Sequence, residues 1–427
     1  MSKPISNTRI DKAGEALSKE IFKDEIELIE AEEYFNRYRQ NHLQPLSETT
    51  LEIQNLLREY GTEFYIAQRL KRKPQILRKL KRLHVRLTQL QDIGGCRIIV
   101  PSNKDVDSLL KFLIEKSKLE IGFEIIHKKI RDYREKGRDD TGYRALHLII
   151  KRNNHNLELQ IRSRIQHYWA ESIERTSVIY GHHLKEKEGD TVVIEYFKHL
   201  SNVFYEIECG REPSSKQKIE LDALRLDCEK IIKQADSHKI FDSYVNKGII
   251  QTLVEKEKNN PSKLNNWILI FDWNTGNFVS WDVVAQNPEE AVAAYSQNET
   301  SYPSDQGFEV VLIGSSDIAS VQKTHSHYFG IETYSNILET LDESIIGFAK
   351  NIDIDIGARQ ILAAMKRHKF WGTKTVTPDT LKNHFCSGII EFDYSIKVLL
   401  DKELIKLGKG KDFSLNISKK NEIESYL

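Results

Sequence analysis

The sequence predicts an α+β fold: a mixed β-sheet core flanked by helices, a smaller α+β region after it, and a helical end closed by a hairpin. Three observations carry this expectation. Apolar residues recur at helical spacing over residues 8–60 and 191–245. Between those runs, short apolar stretches alternate with helical ones. The pattern then restarts after the polar, proline-bearing stretch Lys256–Asn266, which reads as a linker.

In the N-terminal run, Phe22, Ile26 and Ile29 lie on one helical face, and Pro45 and Ser47 are expected to break the helix, Ser47 capping the next. Strands are expected at Cys96–Val100, Phe123–Tyr133, Ala145–Lys151 and Leu157–Ile161. Helices are expected at Lys104–Lys116 and from about Ile161 past Glu174. In the extension, Phe197, Leu200 and Phe204 share a side. WILIFDWNTGNFVSW reads as a hairpin turning at Asn274–Asn277, followed by a helix at Pro288–Tyr295, a strand at Phe308–Ile313 and a helix from about Ser315. Over Thr377–Leu427, two helices and a hairpin turning at Gly408–Gly410 make a winged-helix-like segment. The expected divisions are 1–50, 51–190, 191–255, 267–350 and 351–427.

Bulk properties narrow the function. A chain of 427 residues exceeds one ordinary core. Its 63 basic and 63 acidic residues argue against a surface coated in basic charge for nucleic acid, though not against a local basic patch. Cys96, Cys209, Cys228 and Cys386 form no paired spacing, which argues against a disulfide framework or a zinc site and for reduced thiols. The N-terminus has no apolar core of a signal peptide, and no apolar run approaches roughly 18 residues, so a cytoplasmic protein without a membrane span is expected.

Four segments carry candidate chemistry. Arg69-Leu70-Lys71, with Lys79 eight residues on, lies in a stretch from Phe64 to Gln91 without Asp or Glu. Such a run suits a polyphosphate, although a solvated basic face reads the same way alone. Asp92 precedes Gly94-Gly95-Cys96-Arg97 at the start of an apolar strand, where a carboxylate can hold Mg²⁺ or merely cap a turn. Tyr143 follows Gly142, and His147 lies four residues on, on the same face of a strand. They fit a base-stacking platform or an ordinary core pair. Glu158 and Gln160 share one face of an otherwise apolar strand, with Arg162, His167, Trp169 and Glu171 beyond. Polar groups there need a metal, a substrate or water.

Taken together, the segments resemble the RelA/SpoT synthetase family. Its RxKxxxSxxxK element, Asp-containing segment ending in Arg, GYxxLH element and ExQIRT segment are matched in order by Arg69 to Lys79, Asp92 to Arg97, GYRALH at 142–147 and ELQIRS at 158–163. The resemblance covers about a third of the chain. It implies a nucleotidyltransferase-like synthetase core. It also implies transfer of the β,γ-pyrophosphate of ATP to the 3′-hydroxyl of GDP or GTP. Arg69 and Arg97 would sandwich the adenine, and Lys71 and Lys79 would bind its phosphates. Asp92, aided by Glu158, would hold Mg²⁺, and Glu158 would be the general base. Tyr143, His147, Gln160 and Arg144 would form the acceptor side.

The departures are Gln75 in place of the usual Ser, a segment from Lys136 to Gly142 without the usual Pro and Asn, and Ser163 in place of Thr. Most of these border the acceptor. A second reading is therefore a defence-type toxin that modifies adenosine nucleotides or the 3′ end of tRNA, under control of the C-terminal region. A third is a silent nucleotide-binding relative. His42 and His84 lack neighbouring His-Asp pairs, so no hydrolase site is expected. The Lys-rich Lys406–Lys411 suggests a macromolecular trigger at the C-terminal end.

Overall fold

The computed structural model describes residues 5–427 apart from 62–63, 120–121, 139–140, 212, 236–264, 276, 285–286, 316–353, 355, 387–388, 390–391, 409 and 411. The expected helix from about Ser315 and most of the linker lie outside the described residues. The chain forms two compact units. One holds the described residues up to 205 and 216–315; the other holds those of 206–215 and from 354 onward.

The first unit begins with helix α1 (Asn7–Lys19) and α2 (Glu25–Tyr60). The expected break at Pro45 does not occur: α2 runs through it. A proline inside a helix costs about 3 kcal/mol in an isolated segment. Here the apolar face outweighs that cost. Phe35 and Leu43 join one core cluster, while Leu46, Ile53 and Leu57 join another. Thr49 and Thr50 donate back to the carbonyls of Pro45 and Leu46, and Ser47 accepts from Gln68 instead of capping a helix.

Among the described residues, a nine-stranded mixed sheet follows. Its strands are β1 (Tyr65–Leu70), β2 (Gly94–Val100), β3 (Glu124–Ile125), β4 (Arg131–Asp132), β5 (Leu146–Arg152), β6 (His155–Ser163), β7 (Asn265–Asp272), β8 (Asn277–Val284) and β9 (Phe308–Ser315). The order is β3-β5-β6-β2-β1-β9-β7-β8, with β4 also on β5. Among the described strands of this sheet, only the β2–β6 pair is parallel. Helices α3 (Lys73–Leu83), α4 (Asn103–Ser117), α5 (Arg164–Tyr180), α6 (Thr191–Glu208), α7 (Ser215–Ala235) and α8 (Pro288–Ser301) complete the described part of this unit. Ser163 caps α5 in a reciprocal pair with Gln166, a role Thr fills equally well, so this departure is neutral for the fold.

The sequence reading sets 267–350 apart as a small domain. The hairpin is there, turning where expected, but β7–β9 extend the core sheet instead of forming their own. Residues Gln68–Leu70 of β1 pair with Leu312–Gly314 of β9. The reason is that β1 lies in mid-sheet and needs a partner on each side, and Val310–Ile313 are buried.

The second unit contains α9 (Ile356–Arg367), α10 (Phe392–Asp401), the pair β10 (Ile405–Leu407) and β11 (Phe413–Leu415), and α11 (Lys420–Tyr426). Ile361, Met365, Leu399, Leu404, Leu415 and Ile423 form its core. Among the described residues, no helix is long and apolar enough to cross a membrane.

Candidate active site

Strand alternation builds the site. On β6, Leu157, Leu159 and Ile161 point into the apolar core, which sends Glu158, Gln160 and Arg162 to the opposite face. Register then aligns the neighbours. His147 of β5 and Arg97 of β2 flank Gln160, and Gly95 of β2 stands between Glu158 and Arg69 of β1. Arg69 and Arg97 are thus diagonal neighbours across β1 and β2, about 7–8 Å apart at backbone level. Gly95 leaves the floor between Arg69 and Glu158 without a side chain. A Cβ there would meet only the Glu158 carbonyl oxygen at 3.5 Å. The result is a cavity of about 270 Å³ lined by Arg69, Lys71, Lys79, Asp92, Arg97, Tyr143, His147, Glu158 and Gln160.

On the basic side, Lys71 follows β1 and Lys79 projects from α3. Both donate to one oxygen of Asp92, Oδ2, at 2.6 and 2.7 Å. The other oxygen, Oδ1, is buried with no hydrogen-bond partner. Burial disfavours the Asp92 carboxylate, and the two ammonium groups more than offset this, holding its pKa below the usual range. Burial also lowers Lys71, with Asp92 opposing.

The acidic side is a relay. His147 Nδ1 lies 2.9 Å from Glu158 Oε1, and Gln160 donates to Oε2 at 2.7 Å. The Tyr143 hydroxyl lies 2.8 Å from His147 Nε2 and accepts from Arg162 at 2.8 Å. Burial works against the imidazolium, but Tyr143 and Glu158 raise His147 to about 9. Burial likewise opposes the Glu158 charge, yet His147 and Gln160 hold it far below the usual carboxylate range. For Tyr143, burial is outweighed by Arg162 and His147, which lower the phenol. Gly142 places the ring. Its φ is +85°, and a Cβ would meet Ser201 Cβ at 2.9 Å and Lys198 Cα at 3.0 Å on α6.

The donor set suits Mg²⁺. That ion takes one or two carboxylates and leaves its other positions to water and substrate phosphates. The orphaned Asp92 Oδ1 and the nearby Glu158 carboxylate, which each carry charge felt by the other, match that demand. Among the described residues, no group of three or more His, Cys, Asp or Glu side chains makes a protein-only cage.

One sequence candidate does not reach the cavity. Arg144 lies just before β5, is buried and does not line the cavity. Its guanidinium donates to Ser201 and Asn202 of α6, at 3.0 and 2.7 Å, and to the carbonyls of Arg134 and Glu135. It fastens α6 to the loop before Tyr143 and is no acceptor contact.

Arg162 and Glu171 of the fourth segment also line it, as do Arg82, Arg138, Glu174, Lys185 and Glu186, to which the sequence reading gave no site role. Arg162 was legible as the next member of the Glu158, Gln160 alternation. Glu171 lies 3.7 Å from Arg97, Lys185 2.8 Å from Glu174, and Glu186 3.3 Å from Arg78. The turn Leu184–Glu186 gave no sequence signal, since its role arises only from tertiary packing.

Residues 68–185 match the family described as a region found in RelA/SpoT proteins. An uncharacterized protein of Mycobacterium tuberculosis and one of Mycobacterium bovis are each 32% identical over 133 residues, 30% of this chain. The chain spans 45% of the length of those curated relatives. Among solved structures, small alarmone synthetase 1 of Bacillus subtilis, bound to its product pppGpp, is 21% identical with a TM-score of 0.30. It covers 44% of this chain and 93% of its own. Small alarmone synthetase 2 of the same organism is 24% identical with a TM-score of 0.30, over 37% and 85% of the two chains.

Proposed function

We propose that this chain, which carries a RelA/SpoT region at residues 68–185, transfers pyrophosphate from ATP to the 3′-hydroxyl of GDP or GTP, making (p)ppGpp and releasing AMP. The observation that carries the reading is the shared cavity. It joins two lysines on one oxygen of Asp92, a second oxygen with no partner, and the Glu158–His147–Tyr143 relay.

In this reaction the ribose oxygen bonds to the β-phosphorus as the bridge to the α-phosphate breaks, and AMP leaves with the bridging oxygen. Catalysis of this kind rests on positioning and on neutralising spread negative charge. Lys71 and Lys79, now spent on Asp92, turn to phosphate oxygens. Arg69 and Arg97 bracket the adenine from adjacent strands. Asp92 Oδ1 and Glu158 would hold Mg²⁺, which would supply further charge neutralisation at the phosphates. Glu158 takes the hydroxyl proton. Because it is held ionised, it accepts that proton only as the new bond forms and the hydroxyl becomes more acidic. His147 stays beside it as imidazolium, and Tyr143 offers its ring to the acceptor base.

The test is the full chain with Mg²⁺ and γ-labelled ATP against GDP, GTP, adenosine nucleotides and tRNA. Label on GDP or GTP with stoichiometric AMP supports the reading. Label only on an adenosine nucleotide or tRNA replaces the acceptor and keeps the chemistry. No AMP with any acceptor overturns it.

A further inference from the structure

Residues 69–73 carry the phosphate-facing end of the cavity, and they are held from a part of the chain far from the four motifs. Arg72 precedes α3. Its guanidinium pairs at 2.6 Å with Glu309 Oε2, on β9 and only 3% exposed. The same oxygen accepts from Trp273 Nε1 at 2.7 Å. Glu299 of α8 accepts from the backbone N–H of Lys73, in the first turn of α3, at 3.2 Å. Glu299 also pairs at 2.8 Å with the fully buried Arg39, which donates to the Lys71 carbonyl at 3.1 Å. The ladder places Arg69 opposite Ile313. A second arm runs from Trp273, whose ring meets His183 at 5.2 Å. His183 leads into the turn that sends Lys185 and Glu186 to the cavity wall.

We propose, resting on the ATP-side reading above, that Glu309 and Glu299 are positioning residues for triphosphate binding, setting the chain path of 69–73 and thereby Lys71 and, through α3, Lys79. The reasoning is geometric. Lysine side chains are long and flexible, so their productive placement depends on a fixed backbone. Here two carboxylates, Glu309 buried and Glu299 partly buried, fix that backbone. One holds the residue before α3, and the other holds a free N–H at the start of α3, where negative charge also suits the helix dipole.

The test compares the full chain with Glu309→Gln, Arg72→Gln and the double variant. Readouts are KM for ATP, KM for the acceptor, direct binding of a non-transferable ATP analogue, and thermal midpoint. Glu309→Gln is expected to raise KM for ATP and weaken analogue binding roughly tenfold, while KM for the acceptor stays within about twofold. The double variant should be no worse than the more affected single one, because both remove one contact. Equal changes in both KM values, or unchanged analogue binding, would overturn the proposal. If Glu309→Gln does not fold, Trp273→Phe keeps an aromatic side chain and removes the indole N–H that donates to Glu309. It should weaken analogue binding in the same direction, and no change there overturns the proposal. Failure of the unchanged chain to bind the analogue would overturn the ATP-side reading and this proposal with it. Normal binding that ignores Glu309 would overturn the proposal alone.

Discussion

His147 meets Glu158 through Nδ1 at 2.9 Å, which ties the two groups' protonation together. The His147 pKa rises from 6.5 to about 9 in the folded chain. A raised folded value means stability that is full below the unfolded pKa and is lost as pH rises through the folded one. In His147→Gln, the deficit against the unchanged chain should be largest below about pH 6.5 and shrink as pH approaches 9. Urea midpoints across that range measure it.

Lys71 is expected to matter in the transition state more than in the fold. Lys71→Met should lower turnover roughly 10²- to 10³-fold, the usual cost of losing one preorganised charge donor. Single-turnover kinetics at saturating ATP would read it. A loss confined to KM would show that Lys71 only binds.

Asp92→Asn keeps the shape and removes the charge that Lys71 and Lys79 share. Activity should then need more Mg²⁺, and chelation should abolish activity in the unchanged chain. Magnesium titration of initial rates gives the comparison, and an unshifted titration would remove Asp92 from the metal site.

Two glycines should separate folding from function. Gly142→Ala must adopt a φ of +85° against α6, so it should destabilise by more than about 1 kcal/mol in urea unfolding. Gly95→Leu meets no close obstacle near its Cβ and projects into the cavity. It should leave the unfolding midpoint nearly unchanged while abolishing analogue binding.

Glu299→Ala leaves Arg39 buried without its carboxylate, and losing one partner of such a pair costs roughly 3–5 kcal/mol. Chemical unfolding monitored by tryptophan fluorescence would measure it. A cost below about 1 kcal/mol would mean that the pair behaves as a surface one.

The site was largely legible because strand alternation is a local rule. Glu158, Gln160 and His147 are polar residues at alternate positions of apolar strands, and the pattern fixes their common face before any fold is known. Arg144 was misread because its motif position was followed, while its partners on α6 are set by tertiary packing that the sequence does not show. Strand β1 was hidden for a different reason. Its basic flank reads as a helix face, and its need for a strand is set by β2 and β9, one of them far away in sequence. The same applies to residues 265–315. Hairpin and helix are visible locally, but the pairing of Leu70 with Leu312 has no local signature. Pro45 misled in the opposite sense, since burial on two cores overrode a backbone preference.

Pairing of β1 with β9 also has a consequence for synthesis on the ribosome. The motif-bearing strands emerge long before Phe308–Ser315, so the nascent chain holds β1 with one edge bare until translation is well advanced. The last seam of the sheet closes across a very long loop, a slow kind of contact to form. A ribosome stalled before codon 308 would therefore display an unfinished, adhesive edge beside the lysines, making that interval the one in which chaperone capture matters most.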